Sequence, residues 1–430
     1  MYSRGNRGVN EPLQPDLASA SRRVLSIDVF RGLTMLVMIF ANDLDMAHIQ
    51  DVPNWMKHAV YATPKIPADK VNHITFVDVL APAFLFIVGS AIPLAFRKRL
   101  LRGDSGLKIA GHVLLRSVSL MVMGAFIGNM RSQNVCPSGL SHAAWSLLML
   151  AGLALVWNDY PKTADWRRYL FLAMRLAGIA ALAWLAMIYH RKQGDGLVRM
   201  YPYAWHVLGV IGWSYLVACI VYVLFRRQMA GVVGSLGLLV LLWIADHAGV
   251  LDRITFLAKS REVVSLGHLI ASHASITVAG VVIGMLFVDG PPARTPGQRI
   301  RWIAVFGGMV FVAGLMLRPI YGLSKPRTTP AWSLYCIAIC CGLFALTYWI
   351  IDVKGYQRWT GFTLPAGRNP LVAYFLHYLI HPLSVVLGIE WLNGHLNVGW
   401  VGIARTLGVT FLMGVVLTHA LTRLHVRLRR

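Results

Sequence analysis

The chain has 430 residues, of which 57% are hydrophobic and only 14% are charged, an apolar excess that excludes a soluble globular enzyme. Lysine and arginine outnumber aspartate and glutamate by 41 to 18, so the net charge is +23 and the positive charges require a partner, either nucleic acid or a membrane surface. Because the apolar residues occur in blocks of about 20, the length that a helix needs to cross a bilayer, we interpret the charges as orientation signals rather than as a nucleic-acid footprint.

Twelve apolar blocks with flanking charges and turn residues predict an all-α fold. We expect a polytopic integral membrane bundle with 11–12 transmembrane helices. In chain order, the predicted helices span residues 27–48, 75–96, 108–130, 142–157, 169–189, 204–225, 229–248, 268–288, 301–320, 331–352, 370–389 and 400–420.

The distribution of charge between these helices predicts the orientation of the chain. If the N-terminus is cytoplasmic, most of the lysines and arginines fall in cytoplasmic segments, so the positive-inside rule predicts that both termini are cytoplasmic. Residues 1–23 are too polar for a signal peptide and are predicted to form a cytoplasmic tail, followed by a single transmembrane domain over residues 24–430. Cysteine and histidine spacings match no metal site, and we expect none.

The first predicted helix carries polar residues at both ends. Asp28 and Arg31 lie three residues apart on one face, where they can pair. They are either a helix start with a snorkelling arginine or an anion site at the cytoplasmic mouth of the bundle. Asn42 and Asp43 mark the other mouth, roughly 16–21 Å further along the axis.

The longest segment between predicted helices, residues 49–74, is also the most polar stretch on the non-cytoplasmic side. It contains His58 and His73, and a loop histidine of this kind is either a solvated surface group or a proton acceptor. Asp78, at the start of the second predicted helix, either fixes the tautomer of such an imidazole or stabilises the helix start through the dipole.

Two groups of sequence strings, one near each end of the chain, form a recognisable pattern. The first group is Leu25-Ser26-Ile27-Asp28-Val29-Phe30-Arg31-Gly32, a helix ending at Asn42, Lys57-His58-Ala59 and Thr75-Phe76-Val77-Asp78. The second is Lys325, Trp332-Ser333 and Gly367-Arg368-Asn369-Pro370-Leu371 with Tyr374 and His377. Together they resemble the heparan-α-glucosaminide N-acetyltransferase family, and more closely its bacterial transmembrane branch.

The resemblance implies a membrane enzyme of the bacterial inner membrane. Such an enzyme takes acetyl-CoA from the cytoplasm and delivers the acetyl group to the amine of an amino sugar or glycan on the periplasmic side. The resemblance implies that Asn42 and His58 are catalytic, although extra residues at about 61–67 leave His73 as an alternative to His58. We add Asp78 as a third catalytic residue, and the resemblance also suggests a homodimer.

Coenzyme A carries several phosphates, so its site is expected to be cationic, and arginine binds phosphate through two parallel hydrogen bonds. Arg31, Arg116 and Arg175 all lie in the cytoplasmic halves of predicted helices, and each is either a structural residue or part of a phosphate vestibule. Residues at the start of the eleventh helix enter from the same side and either line the cofactor channel or pack the bundle. The predicted cofactor-binding residues are Asp28, Arg31, Arg116, Arg175, Asn369, Tyr374 and His377.

Two other classes of function remain open from the sequence. A transporter for an acidic or sugar substrate is compatible with many helices and buried arginines, but the chain shows neither internal repeats nor pairs of Gly/Pro-interrupted helices. A structural or assembly protein leaves the buried arginines and Asn42 unexplained. Stabilisation by coenzyme A discriminates between the enzyme and these alternatives.

Overall fold

The computed structural model describes most of the chain, with short gaps between helices. The described residues are 24–46, 51–62, 66–67, 70–130, 139–161, 163, 165–193, 196–200, 205–260, 265–288, 295–389, 396–424, 426 and 428. The predicted cytoplasmic tail, residues 1–23, lies outside them.

Twelve apolar helices form the bundle in the described part of the chain, in agreement with the predicted all-α membrane fold. Ten of them, with the turns that extend them, are long and apolar enough to cross a membrane, and α4 and α11 are shorter apolar helices. The helices are α1 Leu25–Met46, α2 Leu80–Leu101, α3 Gly106–Met130, α4 His142–Trp157, α5 Arg167–Ile188, α6 His206–Phe225, α7 Met229–His247, α8 Ser272–Met285, α9 Pro296–Tyr321, α10 Pro330–Tyr348, α11 Pro370–Val386 and α12 Gly399–Phe411.

A β-hairpin between α5 and α6 is the one element type that the sequence analysis does not anticipate. β1 His190–Gln193 pairs antiparallel with β2 Gly196–Arg199, with His190 opposite Arg199. These strands contain few apolar residues, and the described side chains of β2 are exposed. Without alternating apolar positions the hairpin gives no hydropathy signal.

The centre of the bundle is α8, whose residues 274–285 are all buried. A helix that is apolar on every side is expected in such a position. It packs tightly against α2, because a Cβ at Gly89 would overlap the carbonyl oxygen of Thr277, and a Cβ at Gly280 would overlap that of Phe86. Small residues that allow backbones to approach closely are a common basis of helix association in membranes.

Asp352, in the π-helical turn Trp349–Val353 after α10, holds the N-terminal end of α1. Its carboxylate accepts hydrogen bonds from the backbone nitrogens of Leu25 (3.3 Å) and Ser26 (3.0 Å). The first N–H groups of a helix have no partner within the helix, and a carboxylate at this end also favours the helix dipole. A cap of this kind contributes about 0.5–2 kcal/mol.

Two glycines bring the same end of α1 into contact with the short helix Leu364–Arg368, which precedes α11. A Cβ at Gly32 would overlap the carbonyl oxygen of Thr363, and a Cβ at Gly367 would overlap that of Asp28. Both glycines belong to the strings that carry the family resemblance. The fold therefore joins the two ends of the sequence pattern through direct backbone contact.

At the C-terminal end of α1, Asp43 connects this helix to α12. The Asp43 carboxylate forms an ion pair with the Arg405 guanidinium and accepts a hydrogen bond from Thr406 Oγ1 at 2.7 Å. The Asp43 side chain is only 7% exposed. A carboxylate at this depth requires partners of this kind, because a buried charge is costly unless it is paired and hydrogen-bonded.

Candidate active site

The imidazole of His58 lies between two carboxylates in the loop that follows α1. Its Nδ1 is 2.7 Å from Oδ1 of Asp78, and its Nε2 is 3.3 Å from Oδ2 of Asp45. Asp45 belongs to the end of α1, whereas Asp78 belongs to the 3-10 turn Phe76–Val79 that leads into α2. The His58 side chain is 21% exposed, so the ring is held on both edges and still reachable from outside.

Asp78 is positioned by a capping box with Thr75. Its Oδ2 accepts hydrogen bonds from the backbone nitrogens of Thr75 and Ala59, both at 3.1 Å. One oxygen therefore orders the backbone on both sides of the loop, and the other contacts His58. The two roles that the sequence left open, tautomer control and helix-start stabilisation, are both compatible with this geometry.

Lys325, in the loop between α9 and α10, adds a positive charge to the cluster. Its Nζ lies 3.0 Å from Nδ1 of His58 and 3.3 Å from Oδ1 of Asp78. Burial of the ammonium lowers the pKa of Lys325 below its usual value, although the carboxylate of Asp78 acts in the opposite direction.

We expect Lys325 to make the free energy of unfolding depend on pH. The pKa of Lys325 is lower in the folded protein than in the unfolded chain, so between these two pKa values the unfolded chain binds more protons. The free energy of unfolding therefore increases as the pH rises from the lower pKa to the higher one. Thermal unfolding of the wild type and the Lys325→Met variant, compared at about pH 8 and about pH 10, measures the difference. The wild type should gain stability relative to the variant at the higher pH, and a relative loss would contradict the expectation.

Asn42 lies on α1 three residues before Asp45, and it is half-buried. Residues at this spacing share a helix face, so Asn42 faces the same side as Asp45, one turn or about 4.5 Å along the axis. Of the two candidate histidines, His58 is the one that contacts Asp78. The structure therefore brings His58 and Asp78 together, with Asn42 on the helix face that carries Asp45.

Three of the predicted cofactor residues lie at the opposite end of α1. Asp28 and Arg31 form a salt bridge, as their spacing predicts. The side-chain amide of Asn369 donates hydrogen bonds to Thr422 Oγ1 at 3.1 Å and to the carbonyl oxygen of Val426 at 3.0 Å. The contact between Gly367 and Asp28 places Asn369 beside this end of α1.

Arg175 is connected to the same region through the C-terminal segment. Its Nη2 donates to the carbonyl oxygen of Asn158 at 3.2 Å, and its guanidinium lies 5.3 Å from the ring centre of Tyr160. Asn158 in turn forms an isolated β-bridge with Leu428, two residues after Val426. Arg175 is therefore linked to the C-terminal segment only indirectly, through Asn158, whereas Asn369 contacts that segment itself.

Arg116 occupies a different environment, between α3 and α6. Its guanidinium lies 4.7 Å from the ring centre of Tyr215. A cation over an aromatic face is a stabilising contact in itself. The sequence predicts that Arg31, Arg116 and Arg175 lie at a similar depth in the membrane. In the structure their contacts lie in different places around the bundle.

Tyr374 and His377 lie further along α11, in a polar cluster with His206. The Tyr374 hydroxyl is 3.3 Å from Nδ1 of His206 and 3.1 Å from the Tyr378 hydroxyl, which is itself 3.2 Å from Nε2 of His206. The His377 ring packs edge-on against Tyr378, with ring centres 4.3 Å apart. Sequence reasoning did not associate His206 and Tyr378 with this cluster, because His206 begins a distant helix.

Asp45 and Lys325 are the contacts of His58 that were not among the predicted site residues. Asp45 gives a sequence signal, since it follows Asn42 by three residues at the end of an apolar helix. Lys325 stands in one of the strings quoted above, but its proximity to His58 depends on the packing of the whole bundle.

Comparison with known proteins identifies a family to which the chain belongs and two proteins to which it is similar. Heparan-alpha-glucosaminide N-acetyltransferase from Mus musculus is 30% identical over 135 residues, 31% of this chain and 17% of that protein. The Homo sapiens protein of the same name is 29% identical over 156 residues, 35% of this chain and 20% of that protein. The matches thus span about a fifth of the length of these relatives. A family model described as a domain of unknown function, DUF5009, matches residues 23–257, and the chain belongs to this family.

Proposed function

We propose that this protein is a transmembrane acyltransferase that moves an acetyl group from cytoplasmic acetyl-CoA to the amine of an amino sugar on the periplasmic side. The observation that carries the proposal is the imidazole of His58 held between Asp78 and Asp45 at one end of α1. Similarity to two N-acetyltransferases supports the class of reaction.

In this proposal, His58 is the general base. An amine that attacks a thioester has to lose a proton, and a neutral imidazole is suited to accept it. We assign the ring hydrogen to Nδ1, which lies 2.7 Å from Oδ1 of Asp78, and this assignment leaves Nε2 as the unprotonated nitrogen. Asp45, with a carboxylate oxygen 3.3 Å from that nitrogen, is placed to accept a hydrogen bond from the neutral acceptor amine and to orient it toward the base.

The amine nitrogen then forms a bond with the carbonyl carbon, and the carbon–sulfur bond breaks. The thiolate leaves and takes up a proton, which His58 is positioned to return. Asn42 donates to the oxyanion that develops on the carbonyl, a contribution of about 2.7–4 kcal/mol for a single donor. An acetyl-histidine intermediate at His58 is the alternative route, and trapping of labelled acetyl on the protein without acceptor distinguishes the two.

Coenzyme A binds at the other end of α1 in this proposal. Arg31, oriented by Asp28, contacts the phosphates, since guanidinium groups bind them bidentately. Arg116 and Arg175, in other parts of the bundle, add positive charge that attracts the polyanion over a longer range. The pantetheine arm passes along α1 toward Asn42. This path covers roughly 16 Å from Arg31 to Asn42. The proposed lining is Asn369, just before α11, with Tyr374 and His377 on α11.

The proposal also includes the location, the orientation and the oligomeric state of the protein. We infer a bacterial inner-membrane protein of the bacterial transmembrane branch, with both termini cytoplasmic, that works as a homodimer on an amino-sugar or glycan acceptor. The positive-inside distribution of lysine and arginine supports the orientation.

The proposal is tested by incubating the purified protein with acetyl-CoA and a panel of amino sugars, followed by mass spectrometry. An N-acetylated sugar that forms only with protein is the expected result. Coenzyme A at 100 times its dissociation constant should also stabilise the protein by about 2.7 kcal/mol. Sugar uptake by proteoliposomes without acetylation, and without stabilisation by coenzyme A, would favour a transporter instead.

Replacing Arg31 with glutamine is expected to weaken coenzyme A binding. A hydrogen bond to a charged group contributes about 1.5–3 kcal/mol, which corresponds to an increase in Kd of about 10- to 100-fold. Titration of coenzyme A by thermal shift measures the change. Arg97→Gln, at the end of α2, is the matched control, and the double variant Asp28→Asn/Arg31→Gln avoids an unpaired aspartate. An unchanged Kd in both Arg31 variants would remove this residue from the proposed site.

A further inference from the structure

A basic cavity lies at the C-terminal end of α9, beside the loop that also carries Lys325. It has a volume of about 410 Å³. Its lining includes Arg318, Arg327, His247, Tyr321, Asn72 and Gly322. The proposed function leaves this cavity and its two arginines unused.

The two guanidinium groups have no carboxylate partner in the part of the chain that the structure describes. The Nε atom of Arg327 is buried and, among the described residues, has no hydrogen-bond partner. A buried donor without a partner is costly, and a guanidinium is matched best by an oxyanion that accepts two parallel hydrogen bonds. The chemistry of the cavity is therefore that of a phosphate, sulfate or carboxylate site.

The loop of residues 322–329 is fixed by hydrogen bonds within itself and to its neighbours. Thr329 closes it, because its Oγ1 donates to the carbonyl oxygen of Gly322 at 3.0 Å and its nitrogen donates to that of Ser324 at 3.1 Å. Leu323 donates from its nitrogen to Oδ1 of Asn72 at 2.6 Å. These bonds fix the path of the loop backbone.

This loop connects the cavity with the candidate active site. Lys325 extends to His58 and Asp78, whereas Arg327 extends into the cavity. The Cα atoms of residues two apart are at most about 7 Å from each other. A second connection runs through Asn72, which lines the cavity and precedes Asp78 by six residues. The cavity and the candidate active site are therefore connected by two short segments of the chain.

We propose that this cavity is an oxyanion-binding subsite for the acceptor. A phosphate, sulfate or carboxylate group of an amino sugar binds Arg318 and Arg327 while the amine of the same molecule reaches His58. This inference rests on the proposed function and narrows its acceptor to anionic amino sugars.

Ligand binding without acetyl-CoA gives the first test. Thermal shift of the detergent-purified protein compares three amino sugars. Glucosamine 6-phosphate carries a phosphate, muramic acid carries a carboxylate, and glucosamine carries no anionic group. At least one anionic sugar should bind more tightly than glucosamine, and Arg327→Gln or Arg318→Gln should raise its Kd about tenfold or more. Arg301→Gln, near the opposite end of α9, is the matched control and should leave the Kd unchanged.

Kinetics give the second test. The KM for the anionic sugar should be lower than that for glucosamine, and Arg327→Gln should make the two KM values similar with little change in kcat. Equal binding of all three sugars, or an equal effect of Arg301→Gln, would overturn the subsite. Tight binding that depends on Arg327 but leads to no acetylation would contradict the proposed reaction and leave the subsite supported.

A lipid headgroup offers the same oxyanion chemistry, so it needs its own measurement. Nanodiscs that contain phosphatidylglycerol are compared with nanodiscs of neutral lipid for the wild type and Arg327→Gln. Stabilisation by phosphatidylglycerol that requires Arg327, together with no preference for anionic sugars, would overturn the assignment to an acceptor. Displacement by glucosamine 6-phosphate or muramic acid in neutral nanodiscs would support it.

Discussion

Replacing His58 with alanine is expected to reduce acetyl transfer by about 10²–10⁴-fold, the usual contribution of a general base. The variant keeps the ion pair between Lys325 and Asp78, and the backbone contacts of Asp78 to Thr75 and Ala59 do not involve the imidazole. The fold and the binding of coenzyme A at the far end of α1 should therefore persist. Activity is lost because no group replaces Nε2 beside Asp45.

Single-turnover assays with acetyl-CoA and an accepted amino sugar measure the loss. The thermal shift caused by coenzyme A, measured on the same preparation, separates loss of chemistry from loss of the cofactor site. His73→Ala is the matched control, since it removes the other histidine of the same segment, and it should retain activity. Normal turnover in the His58 variant, with loss in the His73 variant, would reverse the assignment.

Replacing Asp43 with alanine is expected to lower the free energy of unfolding by about 3–5 kcal/mol, because Arg405 then remains as an unpaired charge inside the bundle. The Arg405 side chain is only 16% exposed, so water does not readily replace the lost carboxylate. Thr406 also loses its hydrogen-bond acceptor. The effect acts on the contact between α1 and α12.

Unfolding of the variants in a denaturing detergent, followed by circular dichroism, measures this loss. The double variant Asp43→Ala/Arg405→Met removes both charges and should recover much of the stability. Asp104→Ala, which breaks ion pairs with the partly exposed Arg99 and the exposed Lys108, is the control and should have little effect. Equal stability of the Asp43 and Asp104 variants would show that the buried pair does not hold the two helices together.

The positions of the helices were predictable from the sequence because each apolar block carries its own signal. Several predicted boundaries match the observed helices, as for α4 at residues 142–157. The boundaries of α2 do not, since it spans Leu80–Leu101 where 75–96 was predicted, and α9 begins at Pro296 instead of residue 301, because both helices continue through basic residues. The pair of Asp28 and Arg31 was predictable for the same reason, since both residues lie on one helix turn. Such features depend only on local periodicity and spacing.

The remaining contacts of the candidate site depend on how the helices pack. Depth along a helix follows from residue number, but the direction in which a side chain points around the bundle does not. For this reason Arg116 and Arg175 were predicted at similar depth, although they contact Tyr215 and Tyr160 in different parts of the bundle. The approach of Lys325 to His58, across most of the chain, has no local signal at all.

The loop that carries His58 is tied at its base. Thr75 Oγ1 donates to the carbonyl oxygen of Lys57 at 2.7 Å, and the nitrogen of Ala59 donates to Asp78. A change of length confined to residues 60–70 falls between these crossings, and doubling such a loop costs only about 0.6 kcal/mol of chain entropy. We therefore expect insertions or deletions there to leave the contacts of the His58 imidazole unchanged, so this segment can vary in length at little energetic cost.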